Sequence, residues 1–369
     1  MIDFPVMPEV ASKSSWVFCG LLYMFSFFYY QKCGIRLSAT DKTKNVYYSL
    51  LVLLFIICPL YAGDFVHYQT YVYMYNGQDV FHLEVVYRYI ITFVKNNYLA
   101  FRLIVWGVGF FVLLRSFRSY RLDVYKTLFF FTIYVIAFAY TRTGVALAIF
   151  YYGLSLLLHE DKTIRNTLVG LTLIVVSTFF HTSIGALVAL TPAIFLPIKR
   201  KSIPLLLLLI FALSFFVVPL LNAGLEYFAS ESEESAYKLG LYTQGSTEGF
   251  GAGSSLLGMF GNIWPKLNVH IPYLICVKYM LEHEKNAPKN IKNIFRFSIA
   301  LYLFVIIMWM TYGSNATLYT RYEGMLYIPI TVIFCYMYQN NIINQQLYKK
   351  IVWFCYLCWF WFFSYRIIF

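Results

Sequence analysis

The sequence predicts an all-α polytopic membrane protein with about 12 transmembrane helices. Over 369 residues the chain is 60% hydrophobic and only 12% charged, and apolar segments recur along its whole length. Most of them approach the ~20 residues that a helix needs to cross a ~30 Å hydrocarbon core. Two arginines, Arg142 and Arg321, lie at the ends of such segments. A charge inside a membrane costs about 2.5–3.5 kcal/mol on insertion scales, so both are expected to face a cavity or a binding partner.

The apolar segments set the bounds of the predicted helices. We expect residues 1–369 to form a single integral membrane domain. Several segments are short for a complete crossing, which is compatible with half-helices or tilted pairs. The predicted spans are residues 15–31, 46–62, 98–114, 127–141, 143–158, 167–181, 183–198, 203–221, 269–281, 295–312, 324–339 and 351–368.

The net charge of +12 follows the predicted loops and does not indicate a nucleic-acid-binding protein. Basic residues concentrate in alternate loops, and the loops between them carry few. This positive-inside pattern places the basic loops in the cytoplasm and both termini outside. We therefore expect membrane lipid, and no nucleic acid, as a partner. The basic residues are Lys32, Arg36, Lys42, Lys44, Arg115, Arg118, Arg121, Lys126, Lys162, Arg165, Lys199, Arg200, Lys201, Lys285, Lys289, Lys292, Lys349 and Lys350.

The regions predicted to face outside are where chemistry is expected. Residues 63–97 form the first outer loop, and residues 222–268 form a long outer loop that begins acidic and becomes rich in glycine and serine. Loops of that length are often lids or binding segments. Near its end, Leu256 to Trp264 is an amphipathic stretch suited to a membrane surface. The other outer regions are the short junctions at Arg142 and at residues 180–183, and the segment 313–324.

The sequence contains no DxD pair and none of the common dinucleotide, phosphate-loop, zinc-protease or serine-hydrolase motifs, so we expect no cofactor and no metal. Arg142 and Arg321, with Arg88 as a third, offer planar forks of donors to phosphate oxygens. Tyr68 and Tyr319 are suited to stacking on sugar rings. Snorkelling of an arginine and helix capping by a histidine are the alternative interpretations. The candidate bases that could take a proton from an alcohol are Asp64, Glu84 and His181.

Several of these residues carry a resemblance to a known family. The stretch Gly63-Asp64-Phe65-Val66-His67-Tyr68, followed by Glu84, resembles the GD…Y…E pattern of EpsG/Wzy-like bacterial polysaccharide polymerases, which make O-antigen, capsule or exopolysaccharide. The stretch from Arg142 to His181-Thr182-Ser183 resembles the arginine-to-histidine core of the same family. Arg321 lies where related proteins carry another arginine. The resemblance covers about residues 45–190 well and the remainder by topology.

The resemblance implies a multi-pass GT-C-like glycosyltransferase in the bacterial cytoplasmic (inner) membrane, with its active site facing outside. Such an enzyme joins repeat units carried on undecaprenyl diphosphate, which serves in both donor and acceptor. On this interpretation Arg142 and Arg321 hold the donor diphosphate with Arg88 in reserve, and the reaction is metal-independent and inverting. Asp64 or Glu84 is the general base, and His181 shares that task or orients the acceptor. A protein that regulates chain length is a partner that the resemblance allows.

Three other functions remain open from the sequence. An O-antigen ligase-like glycosyltransferase would use the same kind of donor, so the sequence separates it poorly from a polymerase. A lipid-linked oligosaccharide flippase should carry charges deep within its spans, whereas the charges singled out here lie at one face. A membrane acyltransferase could use His181, but it would need a paired acid nearby in the sequence, and none is present.

Overall fold

The structure is a computed structural model, and its regular structure within the described residues is entirely helical. The model describes residues 84–95, 97–139, 142–159, 163–195, 256–312 and 317–368. It also describes Val17, Gly20, Leu21, residues 23–25, Phe27, Phe28, Ala212 and Ala223. The prediction of a helical protein is confirmed.

The described helices follow one another along the chain with short connections. The first six are α1 (Val85–Val94), α2 (Tyr98–Ser119), α3 (Val124–Ala139), α4 (Arg142–Leu157), α5 (Ile164–Phe180) and α6 (Ile184–Leu190), and a 3₁₀ turn, Thr191–Phe195, follows α6. The later helices are α7 (Leu256–His283), α8 (Lys289–Tyr312), α9 (Thr317–Gly324), α10 (Tyr327–Gln339) and α11 (Gln345–Ile368).

The chain divides into two compact units, each of which is described by itself. Unit 1 comprises Met1–Val188 and Phe334–Phe369, and unit 2 comprises Ala189–Ile333. Helices α1 to α5 belong to unit 1, and α7 to α9 belong to unit 2.

Helix α4 lies at the centre of unit 1, packed between α2 and α5. Every residue from Val145 to Tyr151 is buried, which is expected of a helix that is apolar on all sides. Small residues allow the close approach to α5: a Cβ atom added at Gly153 would lie 2.8 Å from the backbone oxygen of Gly170, and the reverse addition gives the same 2.8 Å. Such contacts between small residues are typical of helices packed within membranes.

We expect Gly153→Ala to destabilise unit 1, because its new methyl group would meet a backbone atom that cannot rotate away. Overpacking of this kind costs about 1–3 kcal/mol, so the midpoint of thermal unfolding in detergent should fall.

Gly107→Ala in α2 is the matched control, since an added Cβ there meets nothing within 4 Å. Alanine is the better helix former, so this variant should unfold at the parental temperature or slightly above it. Equal unfolding temperatures for Gly153→Ala and the parent would contradict the backbone contact between α4 and α5.

Helix α5 presents an apolar stripe on the face opposite its buried Gly170. The stripe follows the helical repeat, as the 3.6-residue period requires. Across 17 residues the helix is about 25 Å long, close to the thickness of a hydrocarbon core. An exposed apolar stripe of this length is suited to lipid and not to water. Its members are Ile164, Leu168, Leu171, Val175 and Phe179, all of them exposed.

Two described helical segments are long and apolar enough to cross a membrane: Ala100–Ser119 in α2 and Lys289–Met310 in α8. Together with the shorter apolar helices, they are consistent with a helical membrane protein. The count of about 12 spans, the GT-C arrangement and the orientation stay predictions.

The observed helices agree closely with some predicted spans, and others are parts of helices that begin earlier. The span predicted at 143–158 corresponds to α4, and the span at 167–181 corresponds to α5. The span predicted at 269–281 is the second part of α7, which already begins at Leu256. The amphipathic stretch from Leu256 to Trp264 is therefore the beginning of that helix. Residues 63–83 and most of 222–255 lie outside the described residues.

Candidate active site

An aromatic cluster determines where α1 lies in unit 1. Tyr87 is completely buried, and its ring contacts Phe101 of α2 and, edge to face, Phe180 at the end of α5. The ring centroids are 6.2 Å and 5.9 Å apart, within the range in which aromatic pairs attract. This cluster brings the first turn of α1 to the end of α5, where the next residue is His181.

Glu84 and His181 meet at this junction. Glu84 is the N-cap of α1, but its carboxylate makes no capping hydrogen bond. His181 is the C-cap of α5 and is buried, with its backbone N–H donating to the Ser177 carbonyl. The Glu84 Oε1 and His181 Nε2 atoms are 3.9 Å apart, longer than a direct hydrogen bond. A hydroxyl oxygen at ordinary hydrogen-bonding distance from both atoms would fit this separation.

The other ring nitrogen of His181 indicates which tautomer suits the site. The backbone N–H of Ser183 donates to His181 Nδ1 at 3.2 Å, and the Ser183 hydroxyl lies 2.7 Å from the same atom. Because Nδ1 accepts the backbone N–H, the proton of a neutral imidazole belongs on Nε2. The Nε2–H group then points towards the Glu84 side as a donor, and the Glu84 carboxylate is an acceptor.

Arg88 lies one helical turn after Glu84, on the same face of α1. Arg88 is half-buried as a residue, and its Nε atom is fully buried with no hydrogen-bond partner among the described residues. A buried donor without a partner costs about 1–3 kcal/mol, and more when the group is charged. An anion bound beside Arg88 would remove that cost. The junction therefore offers an acceptor and a donor, and a cation suited to a phosphate group lies one helical turn away.

Unit 2 contains a second polar cluster, centred on His270 of α7. The His270 Nε2 atom lies 2.8 Å from the Tyr319 hydroxyl and 3.1 Å from Glu323 Oε1, and Nδ1 lies 3.1 Å from the Tyr302 hydroxyl. The Tyr319 hydroxyl also donates to Glu323 Oε1 at 3.1 Å. Three helices, α7, α8 and α9, are joined by this network.

The electrostatics of the cluster reflect its burial. Burial raises the pKa of the Tyr319 hydroxyl, and the negative charge of the Glu323 carboxylate raises it further. The hydroxyl therefore stays protonated and donates. Burial lowers the pKa of the Lys266 ammonium, and the attraction of Glu323 partly opposes that shift. The Lys266 Nζ atom lies 5.3 Å from the centroid of the Tyr319 ring, where a cation is stabilised by the π face.

The residues predicted to form the site are distributed as follows. Glu84 and His181 come together, with Arg88 one turn from Glu84. Arg142 is the first residue of α4, and its side chain lies outside what the structure describes. Arg321 is half-buried on α9 in unit 2. Asp64 and Tyr68 lie outside the described residues, and Tyr319 is buried with its hydroxyl bonded to His270 and Glu323.

Sequence reasoning missed His270, Glu323 and Arg102. His270 lies inside a predicted span, and Glu323 lies immediately before another. An ionisable residue in or beside a span is a functional candidate by default, and that signal could have identified both. Arg102 also lies within a predicted span; it is buried, with its guanidinium carbon 5.2 Å from the Trp106 ring centroid.

Comparison with known proteins assigns the family. The model of the EpsG family, whose members are polysaccharide polymerase-like proteins, matches residues 44–369. Comparisons with curated proteins and with solved structures gave no match. The matched range includes Glu84, Arg88 and His181 as well as the network around His270. Because the family model spans most of the sequence, the resemblance seen in the motifs is confirmed, and the chain belongs to the EpsG family.

Proposed function

We propose that the protein polymerises undecaprenyl-diphosphate-linked oligosaccharide repeat units by glycosyl transfer at the outer face of the cytoplasmic membrane. The observation that carries the proposal is the junction of Glu84 and His181 at 3.9 Å, with the buried Nε of Arg88 one turn away. Membership of a polysaccharide polymerase-like family supports the same class of reaction.

Glu84 and His181 have different roles towards the acceptor hydroxyl in this proposal. The acceptor hydroxyl binds between them, accepting a hydrogen bond from His181 Nε2–H and donating its own to Glu84. Its oxygen attacks the anomeric carbon of the donor sugar as its proton passes to the Glu84 carboxylate. One C–O bond forms while the bond between that carbon and the phosphate oxygen breaks, and undecaprenyl diphosphate leaves. Displacement from the opposite side inverts the anomeric centre.

The leaving diphosphate gains negative charge as that bond breaks. Arg88 stabilises this charge, because a guanidinium can form two parallel hydrogen bonds to phosphate oxygens. Arg142 and Arg321 keep their predicted roles as further ligands of the donor, and Tyr68 keeps its predicted contact with the sugars. Arginine thus supplies the positive charge that a metal ion supplies in transferases with a DxD pair, so the proposed reaction requires no metal.

The placement of the junction along α2 supports the outer face. Phe101, which holds α1 through Tyr87, lies near the start of α2. The basic residues Arg115 and Arg118 lie near its other end, and the apolar segment Ala100–Ser119, which contains all three residues, is about 30 Å long. The positive-inside rule assigns the basic end to the cytoplasm, and the opposite end, with Glu84 and His181, to the outside.

The proposal is tested by elongation in vitro. Purified protein in lipid vesicles, given undecaprenyl-diphosphate-linked repeat units in the presence of EDTA, should form a ladder of products on a gel. The ladder should disappear in Arg142→Ala and Arg321→Ala.

Other outcomes identify the alternatives. Transfer of a single unit to another acceptor without a ladder would indicate a ligase. Movement of the substrate across the vesicle without chemistry would indicate a flippase. A ladder that forms only after a divalent cation is restored would overturn the metal-independent mechanism.

A further inference from the structure

Helix α9 is a short helix that carries Arg321. Isolated helices of this length are not stable in water, so its conformation depends on what it packs against. Its contacts within unit 2 are chiefly with α8, where the Tyr322 ring packs edge to face on Phe304 at 4.8 Å. The position of Arg321 is therefore set by the contacts that hold α9.

The two faces of α9 differ sharply in environment. Tyr319 and Glu323 are one turn apart and share a face, and both are buried, with 2% and 5% of their surface exposed. Arg321 lies two residues from each, about 160–200° around the helix from them. Arg321 itself is half-buried. The face that carries Tyr319 and Glu323, here called the docked face, therefore lies on the opposite side of the helix from Arg321.

The docked face is held by hydrogen bonds whose chemistry is directional. With the proton on Nε2, His270 donates to the Tyr319 oxygen and towards Glu323 Oε1, while Nδ1 accepts from the Tyr302 hydroxyl. Tyr319 in turn donates to Glu323. These bonds fix the rotation of α9 about its axis as well as its distance from α7, which apolar packing alone does less specifically.

We infer that His270 and Glu323 are positioning residues: they anchor α9 so that Arg321 is held ready for the phosphate groups of the lipid-linked donor. This inference rests on the proposed function for the role of Arg321. The anchoring itself is a property of unit 2 and can be measured without any substrate.

The first test measures the anchoring. Hydrogen exchange of the full-length protein, followed by mass spectrometry, should show faster exchange of the α9 amides in Glu323→Ala than in the parent, about tenfold or more for an opening of this kind. Glu284→Ala is the matched control, because Glu284 forms an ion pair with Arg296 at 2.8 Å in the same unit but lies outside α9. Unchanged α9 exchange in Glu323→Ala would overturn the inference.

The second test measures the consequence for Arg321. Glu323→Ala should lower kcat/KM for the donor by about 10- to 100-fold, as expected of a misplaced binding group, and Glu323→Gln should restore much of it. In an Arg321→Lys background the same Glu323→Ala change should cost far less, because the two residues act as one unit. Additive losses would overturn the inference in favour of general destabilisation.

If the proposed function is wrong, the variants give a different pattern of results than if only the anchoring of α9 is wrong. If Arg321→Ala elongates as the parent does, the donor-binding role of Arg321 is wrong, and with it the catalytic purpose of the anchor. If Arg321→Ala is impaired while Glu323→Ala is normal in both tests, only the anchor is wrong.

Discussion

Glu84→Gln should lower the rate of chain elongation by about 100- to 10,000-fold, the range that a general base contributes. The amide keeps the size of the side chain and one acceptor oxygen, so the acceptor sugar still binds. It cannot take the proton that the attacking hydroxyl must lose. The loss should therefore appear in kcat, measured by single-turnover transfer to a short acceptor, and the KM for the acceptor should change little.

Glu282→Gln is the control for this change, since Glu282 lies in the last turn of α7 in unit 2, far along the chain from the junction. It should elongate at the parental rate. Asp64 is the other base that the sequence left open. A normal rate in Glu84→Gln together with a strong loss in Asp64→Asn would transfer the role of base to Asp64.

The second large effect is expected at Arg88. Arg88→Ala should reduce kcat/KM for the donor by about 100- to 1,000-fold, comparable to the removal of one preorganised donor from a site of developing charge. Arg88→Lys should recover only part of this, because an ammonium cannot offer the planar fork that matches a phosphate. Both values would be measured with a defined lipid-linked donor at saturating acceptor.

Arg115→Ala provides the comparison, because Arg115 lies in the same unit near the opposite end of α2, where it is exposed beside Phe111. Its loss should leave kcat/KM unchanged. Full recovery of activity in Arg88→Lys would mean that Arg88 acts as a simple point charge and does not form paired hydrogen bonds.

Much of the helical fold could be predicted because each apolar segment is local information. The run that ends before Lys162 predicted α4 almost to the residue, since Arg142 at one end and the polar loop at the other mark its limits. The start of α7 at Leu256 was harder to predict from the sequence. An amphipathic stretch next to a span has the same local pattern whether it bends onto the membrane surface or continues the helix, and only packing decides between them.

The sequence predicted candidate residues for the site, but it did not predict which of them lie next to each other. Glu84 and His181 were each identified by chemistry and motif, yet their contact depends on the packing of Tyr87 against Phe101 and Phe180, which no local pattern encodes. The network in unit 2 was missed for a related reason. His270 and Glu323 lie far apart in the sequence, and each looks like an isolated polar residue at the margin of an apolar run.

The two faces of helix α5 meet different surroundings and can change independently. Its inner face meets α4 at the level of the backbone, through Gly153 and Gly170, and its last turn leads directly to His181. Its outer face is a stripe of exposed aliphatic and aromatic side chains. Changes on the outer face can match bilayers of different thickness or fluidity while the frame that holds the histidine keeps its geometry. The side of this helix that faces away from α4 can therefore vary with the membrane while the proposed reaction centre keeps its geometry.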